Sequence, residues 1–149
     1  MINRAKIKDV PEIVKLVNFY AAKGEMLGRS QADVYNSLRD YIVIKNEEKI
    51  IGCGALHVVW DDIAEIRSLA IAPDFVGKGL GRNIVEFLIQ DARDLELPKV
   101  FTLTYKPEFF KKLEFDDIDK KDLPHKVWKD CLHCPKFPDC DEVSLIRYL

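Results

Sequence analysis

Three glycines stand two apart at Gly77, Gly79 and Gly81, with Lys78 inside the run and Arg82 behind it. They follow an apolar stretch, Ile63 to Ala72, and open a helical pattern in which Leu80, Ile84, Leu88, Ala92 and Leu95 share one face. A strand, a glycine loop and a helix in that order suit a phosphate. Glycine lets the chain turn sharply and leaves no side chain in an anion's way. The first amides of the helix are free to donate, and the helix dipole favours negative charge beside them. Two common nucleotide motifs fail. A dinucleotide fingerprint needs a further glycine where Arg82 or Ile84 stands, and a P-loop needs Lys then Ser or Thr where Arg82 and Asn83 stand. A tight turn that binds nothing is the competing reading.

The second cluster is Cys131, Cys134 and Cys140. Cys-x2-Cys is a zinc-knuckle spacing, and His125 or His133 would complete four ligands. A second such pair is missing, so reduced thiols packing a loop, or a disulfide, remain alternatives to a structural zinc. Cys53, between Gly52 and Gly54 in an apolar stretch, reads as a small core residue.

These groups need a scaffold. The chain has 149 residues, 48% hydrophobic and 32% charged, enough for one domain with its own core. A net charge of −2 argues against nucleic acid or an anionic membrane as the main partner. No apolar run exceeds four residues, which excludes a membrane span, and Met1 to Lys6 has no apolar signal region. A cytoplasmic protein is the expectation. Ile2 to Ile7 reads as a strand. Asp9 reads as an N-cap with Glu12 as its capping-box partner, opening a helix on Val10, Ile13, Val14, Val17, Tyr20 and Ala21 that Gly24 ends. Gln31 to Arg39 is a second helix. Tyr41 to Lys45 and Ile50 to Trp60 form a hairpin, with Gly52 and Gly54 marking a bulge or a close approach. Ile63 to Ala72 is a strand buried on both faces. After the long helix come a strand, Lys99 to Thr104, a helix, Pro107 to Leu113, and a strand, Phe115 to Ile118. Val143 to Tyr148 closes as an edge strand, which would leave an edge for a homodimer. The expected fold class is α/β (α+β): one mixed sheet flanked by helices, in a single domain over 1–149 with a core at 1–118 and a Cys-containing extension at 119–149.

The run Glu65-Ile66-Arg67-Ser68-Leu69-Ala70-Ile71-Ala72-Pro73-Asp74-Phe75-Val76-Gly77-Lys78-Gly79-Leu80-Gly81 resembles the acyl-CoA motif of the GNAT superfamily of N-acyltransferases. Phe101 to Thr104 and Phe109 to Phe115 are similar to that family's later strand, helix and strand. The resemblance implies a mostly antiparallel twisted sheet in which the fourth strand splays from the fifth around the pantetheine arm of acetyl-CoA. It implies that the backbone of Leu69 and Ile71 pairs with that arm. An amide at Leu69 or Ala70 polarises the thioester carbonyl, and the amides of Val76, Gly77, Lys78, Gly79, Leu80, Gly81 and Arg82 hold the pyrophosphate. Glu65 matches the position of a general base for the amine; the alternative is a rim carboxylate paired with Arg67. The chain departs from the family pattern at Val76, usually Gln or Arg, at Glu114, usually Gly, and at Phe110, where a Tyr acid is frequent. Tyr105 is then the nearby phenol, as proton donor or as packing.

Gly24 to Ser30 and Arg67-Ser68-Leu69 are similar to the N-acetylglutamate synthase group of that superfamily. This implies that Leu27, Arg29, Ser30, Arg67 and Ser68 face an amino-acid substrate, with Arg29 and Arg67 on its carboxylates and Ser68 donating a hydrogen bond. A guanidinium fork binds a carboxylate bidentately; without the resemblance Arg29 would read as a solvated loop cation. The activity implied is transfer of acetyl from acetyl-CoA to the α-amino group of a small amino acid, glutamate above all, as in arginine biosynthesis. The alternatives are another small amine, a protein N-terminus, or a non-catalytic acyl-CoA sensor.

Overall fold

The computed structural model describes residues 1–124 and 142–149. His125, Cys131, His133, Cys134 and Cys140 lie outside those residues, and with them the zinc expectation. Among the described residues no group of His, Cys, Asp or Glu is placed to hold a metal ion, and no helix is long and apolar enough to cross a membrane.

Seven strands form one sheet: β1 (Ile2–Arg4), β2 (Tyr41–Asn46), β3 (Lys49–Trp60), β4 (Ile63–Ile71), β5 (Lys99–Thr104), β6 (Asp116–Asp117) and β7 (Val143–Tyr148), in the order β1-β2-β3-β4-β5-β7-β6. Among the described residues four helices accompany it: α1 (Val10–Ala21), α2 (Gln31–Asn36), α3 (Leu80–Asp94) and α4 (Pro107–Lys111). Every neighbouring pair is antiparallel except β4 and β5, which α3 connects as a crossover. The mixed, mostly antiparallel sheet expected from the sequence is therefore present.

The period-two alternation of the strands divides two apolar layers. Tyr41 and Val43 join Val10, Ile13 and Val17 of α1 on one face. Ile42 and Ile44 join Ile84, Leu88 and Ala92 of α3 on the other. Each Val, Leu or Ile among them, fully buried, contributes roughly 1.5–3 kcal/mol. The stripe on α3 runs through Val85 and Ile89 as well; Leu95, expected on it, lies past the last helical residue and is exposed.

Several expectations need correction. β1 stops at Arg4 because the next residues turn: the Lys6 amide donates to Asp9 Oδ2 at 2.8 Å, and Ile7–Asp9 forms a 3-10 turn. Asp9 makes no cap for α1. It is buried against Lys45 Nζ at 2.8 Å, and Glu12 accepts from the Ile50 amide at 3.1 Å instead of closing a capping box. Burial alone would push the Asp9 carboxyl up, but the Lys45 ammonium and the Lys6 amide outweigh it and hold it below its ordinary value. α2 ends at Asn36, where the Ser37 hydroxyl donates back to the Asp33 carbonyl at 2.7 Å; Leu38–Asp40 is a separate 3-10 turn. α4 stops at Lys111, and β6 shrinks to Asp116–Asp117.

β7 is the largest surprise. It is not an edge strand: it pairs with β5 over its whole length and carries β6 on its other side. The edge that suggested a dimer is thus occupied within the chain. Arg147 of β7 donates to the Leu113 carbonyl at 3.1 Å and pairs with Glu114 at 3.0 Å. Glu114 has a positive φ of 69°, where glycine would be unstrained, and this ion pair ties the turn after α4 to the sheet.

Candidate active site

The cleft begins where a ladder ends. β4 and β5 pair only from Ile63 with Lys99 to Glu65 with Phe101; β4 then continues over residues 66–71 with no rung to β5. The Thr102 hydroxyl donates to the Ile66 carbonyl at 2.8 Å at the fork, satisfying a group the diverging strand has left behind. The splay expected from the sequence is present, and a cavity of about 410 Å³ occupies it.

β4 also carries a bulge. Ala55 faces Arg67 and Cys53 faces Ala70, so Ser68 and Leu69 together oppose Gly54. Ser68 takes a φ of 57°, a strained backbone for a residue with a Cβ. Two neighbours hold it there: the Tyr41 hydroxyl lies 3.0 Å from Ser68 Oγ, and Cys53 Sγ donates to the Ser68 carbonyl at 3.4 Å. α3 presses from behind, since a Cβ on Gly54 would lie 2.6 Å from Ile84 Cγ2. Gly52 and Gly54 therefore mark both a bulge and a close approach. Burial pushes the Cys53 thiol up to about 12, so it remains a neutral donor and not a nucleophile.

The glycine loop forms one wall. Gly77 and Gly79 adopt φ of 85° and 80°, and nothing lies within 4 Å of where their Cβ atoms would be. Gly79 precedes α3 without any side-chain cap, which leaves the first amides of the helix as open donors. The residues present thus fit a pyrophosphate. Gly77, Gly79, Leu80, Gly81, Arg82 and the exposed Val76 line the cleft; Lys78 does not, its ammonium lying 5.3 Å from the Phe75 ring centre.

The opposite wall is made of side chains. Glu65, Arg67, Ser68, Leu69, Ala70 and Ile71 line the cleft from β4, and Leu27 and Arg29 from the loop between α1 and α2. Glu65 and Arg67 are 13% and 11% exposed, and Arg67 Nη1 stands 3.7 Å from Glu65 Oε1. The ion pair read as an alternative to catalysis is therefore present, inside the cleft. Arg29 Nε is buried without a hydrogen-bond partner among the described residues. Both guanidinium groups act on Asp33, whose carboxylate is held low first by the Ser30 amide, and on Tyr41, whose phenol burial raises. Sharing these two neighbours places the two guanidinium groups on the same side of the cleft.

Ser30 and Tyr105 stand outside the lining. Ser30 caps α2: its Oγ accepts from the Asp33 amide at 3.0 Å and its amide donates to Asp33 Oδ2 at 3.1 Å. The Ser30-x-x-Asp33 spacing was the signal for that role. Phe110 is buried edge-to-face against Phe109 and Phe115 and offers no proton donor where a phenol is frequent. Sequence reasoning missed Tyr20, Thr102 and Phe109, which also line the cleft. Tyr20 donates its hydroxyl to the Ile71 carbonyl, and the Phe109 ring would lie 3.2 Å from a Cβ on Gly81. Their positions in apolar periodic stretches gave no sign of this.

Residues 13–115 match the Acetyltransferase (GNAT) family. An N-acetyltransferase of Chlorobaculum tepidum is 35% identical over 99% of this chain and 96% of its own length. The amino-acid acetyltransferase of Mycobacterium tuberculosis is 38% identical over 87% of this chain and 76% of its own. Among solved structures, a Mycobacterium tuberculosis protein in complex with CoA superposes with a TM-score of 0.84 at 33% identity, covering 100% of this chain and 99% of that one. N-acetylglutamate synthase of Neisseria gonorrhoeae, complexed with coenzyme A and N-acetyl-glutamate, superposes at 0.91 and 25% identity; this chain spans 35% of its length. A cleft between splayed strands, an uncapped helix behind a glycine loop and these relatives lead to one conclusion: the chain belongs to the GNAT acetyltransferase family and is an acetyl-CoA-dependent N-acetyltransferase.

Proposed function

We propose that the acceptor is the α-amino group of a small amino acid with a second carboxylate, glutamate first, giving an N-acetylamino acid as in arginine biosynthesis. The observation that carries this reading is the pair Arg29 and Arg67 lining one cleft together with Glu65. Two guanidinium groups suit two carboxylates. Relatives named amino-acid acetyltransferase and N-acetylglutamate synthase support it.

In this reading the amides of residues 76–82 hold the pyrophosphate and the backbone of Leu69 and Ile71 lies along the pantetheine arm. Ile71 first releases its carbonyl from the Tyr20 hydroxyl or shares it. Glu65 takes a proton from the substrate ammonium, directly or through water. The amine nitrogen then bonds to the thioester carbonyl carbon. A backbone amide in or just after the bulge, at Leu69 or Ala70, stabilises the oxyanion; the network of Tyr41, Ser68 and Cys53 keeps that amide in place. The nitrogen gives up its second proton to solvent, the carbon–sulfur bond breaks and the thiolate departs with its electron pair. Phe110 has no proton to give, so the thiolate leaves as the anion or is protonated by Tyr105. Tyr105→Phe with unchanged kcat assigns it the first course. Ser68, whose hydroxyl is shared with Tyr41, and Leu27 complete the amino-acid side.

The test is thiol release from acetyl-CoA across a panel of amino acids and amines. The expected result is fastest turnover with glutamate and close dicarboxylates. Preference for an uncharged amine or a peptide terminus would overturn the substrate assignment, and coenzyme A binding without turnover of any amine would favour a sensor.

A further inference from the structure

Arg29 enters the cleft from a loop, and a loop does not by itself hold a side chain with the accuracy that bidentate recognition needs. Beside Arg29 one side chain fastens this loop to α1. Asn18, half-buried on α1, donates from Nδ2 to the Arg29 carbonyl at 2.9 Å and accepts at Oδ1 from the Arg29 amide at 2.9 Å. A single planar amide thus spends its donor and its acceptor on the backbone of one residue, fixing both the place and the orientation of the Arg29 Cα. Of the side chains that carry both groups on one plane, only Asn and Gln qualify, and Gln is longer by a methylene. Gly28 makes the approach possible. A Cβ there would lie 3.0 Å from Asn18 Oδ1 and 3.4 Å from the Ala21 Cβ. From this fixed origin the Arg29 side chain runs into the cleft, where its Nε is buried with no protein acceptor among the described residues.

We propose that Asn18, seated against Gly28, is a positioning residue that aims Arg29 at the carboxylate of the amino-acid substrate and so sets the affinity for that substrate alone. The inference rests on the substrate reading given above. Neither residue touches the acyl-CoA side of the cleft, so the coenzyme has no reason to sense the change.

The test is a set of steady-state measurements on the whole chain with glutamate and acetyl-CoA, for Asn18→Ala, Gly28→Ala, Arg29→Ala and the double variant Asn18→Ala/Arg29→Ala. Loss of two part-buried hydrogen bonds should raise the glutamate KM of Asn18→Ala about five- to tenfold, with the acetyl-CoA KM unchanged. Gly28→Ala should raise the same KM less. The double variant should be no worse than Arg29→Ala, because a residue that acts through Arg29 has nothing left to act on. Should Asn18→Ala not fold, Asn18→Asp keeps the acceptor but sets an oxygen against the Arg29 carbonyl, and the same KM should rise. A raised glutamate KM in Arg29→Ala beside an unchanged one in the Asn18 variants overturns this inference alone. So do additive effects in the double variant, or equal rises in both KM values. An unchanged glutamate KM in Arg29→Ala overturns the substrate reading and this inference with it.

Discussion

The two walls of the cleft are built by different means. The loop from Val76 to Arg82 offers backbone amides from one continuous segment, shaped by two glycines with positive φ and an uncapped helix. The facing wall offers side chains from β4 and from the loop after α1, brought together by the sheet and by one asparagine. A backbone wall depends little on the side chains it carries, so a residue such as Val76 should be tolerated in it. A side-chain wall depends on each residue and on whatever aims it. The first suits a cosubstrate common to many enzymes, and the second suits an acceptor that distinguishes them.

The largest expected effect lies on the side-chain wall, at the last rung between β4 and β5. Glu65→Gln should lower kcat roughly a hundredfold or more, most steeply at low pH where the amine is protonated; full wild-type activity across the pH range would remove the base. Next, Arg29→Ala should raise the glutamate KM roughly ten- to a hundredfold, the worth of a hydrogen bond to a charged group, and leave the acetyl-CoA KM alone. On the opposite wall, Gly79→Ala places a Cβ on a backbone at φ 80°, which costs about 1–2 kcal/mol. It should weaken acetyl-CoA several-fold without touching glutamate. The smallest and sharpest is Val76→Arg, which restores the side chain frequent in the family. A drop of about threefold in the acetyl-CoA KM is expected from an added exposed charge contact, and no change would mean that the amides already suffice.

The contrast also explains what could be read from the chain. The glycine loop is local: Gly77, Gly79, the strand before and the helix after all appear in consecutive residues, so the sequence pattern carries the geometry. Strand positions were legible for the same reason, β5 to the residue. Partners were not. β7 has an ordinary apolar alternation, and nothing in Val143 to Tyr148 says that β6 will lie outside it. Gly52 and Gly54 signalled the bulge, but not the residue it strains across the ladder: Ser68 takes a conformation usually left to glycine, under restraint from Tyr41 and Cys53 on other strands. Ser30 looked like a substrate contact through its resemblance, although the box with Asp33 was written three residues on. Asn18 carries no local signal, because its role depends on a loop folding back to meet it.

The division of the cleft is tested most directly by calorimetric titration of coenzyme A, with no amine present, into the wild-type chain, Gly79→Ala and Arg29→Ala. The account predicts one-to-one binding, weakened several-fold by Gly79→Ala and unaltered by Arg29→Ala. Coenzyme A uptake that is absent, or that falls equally in both variants, would contradict it.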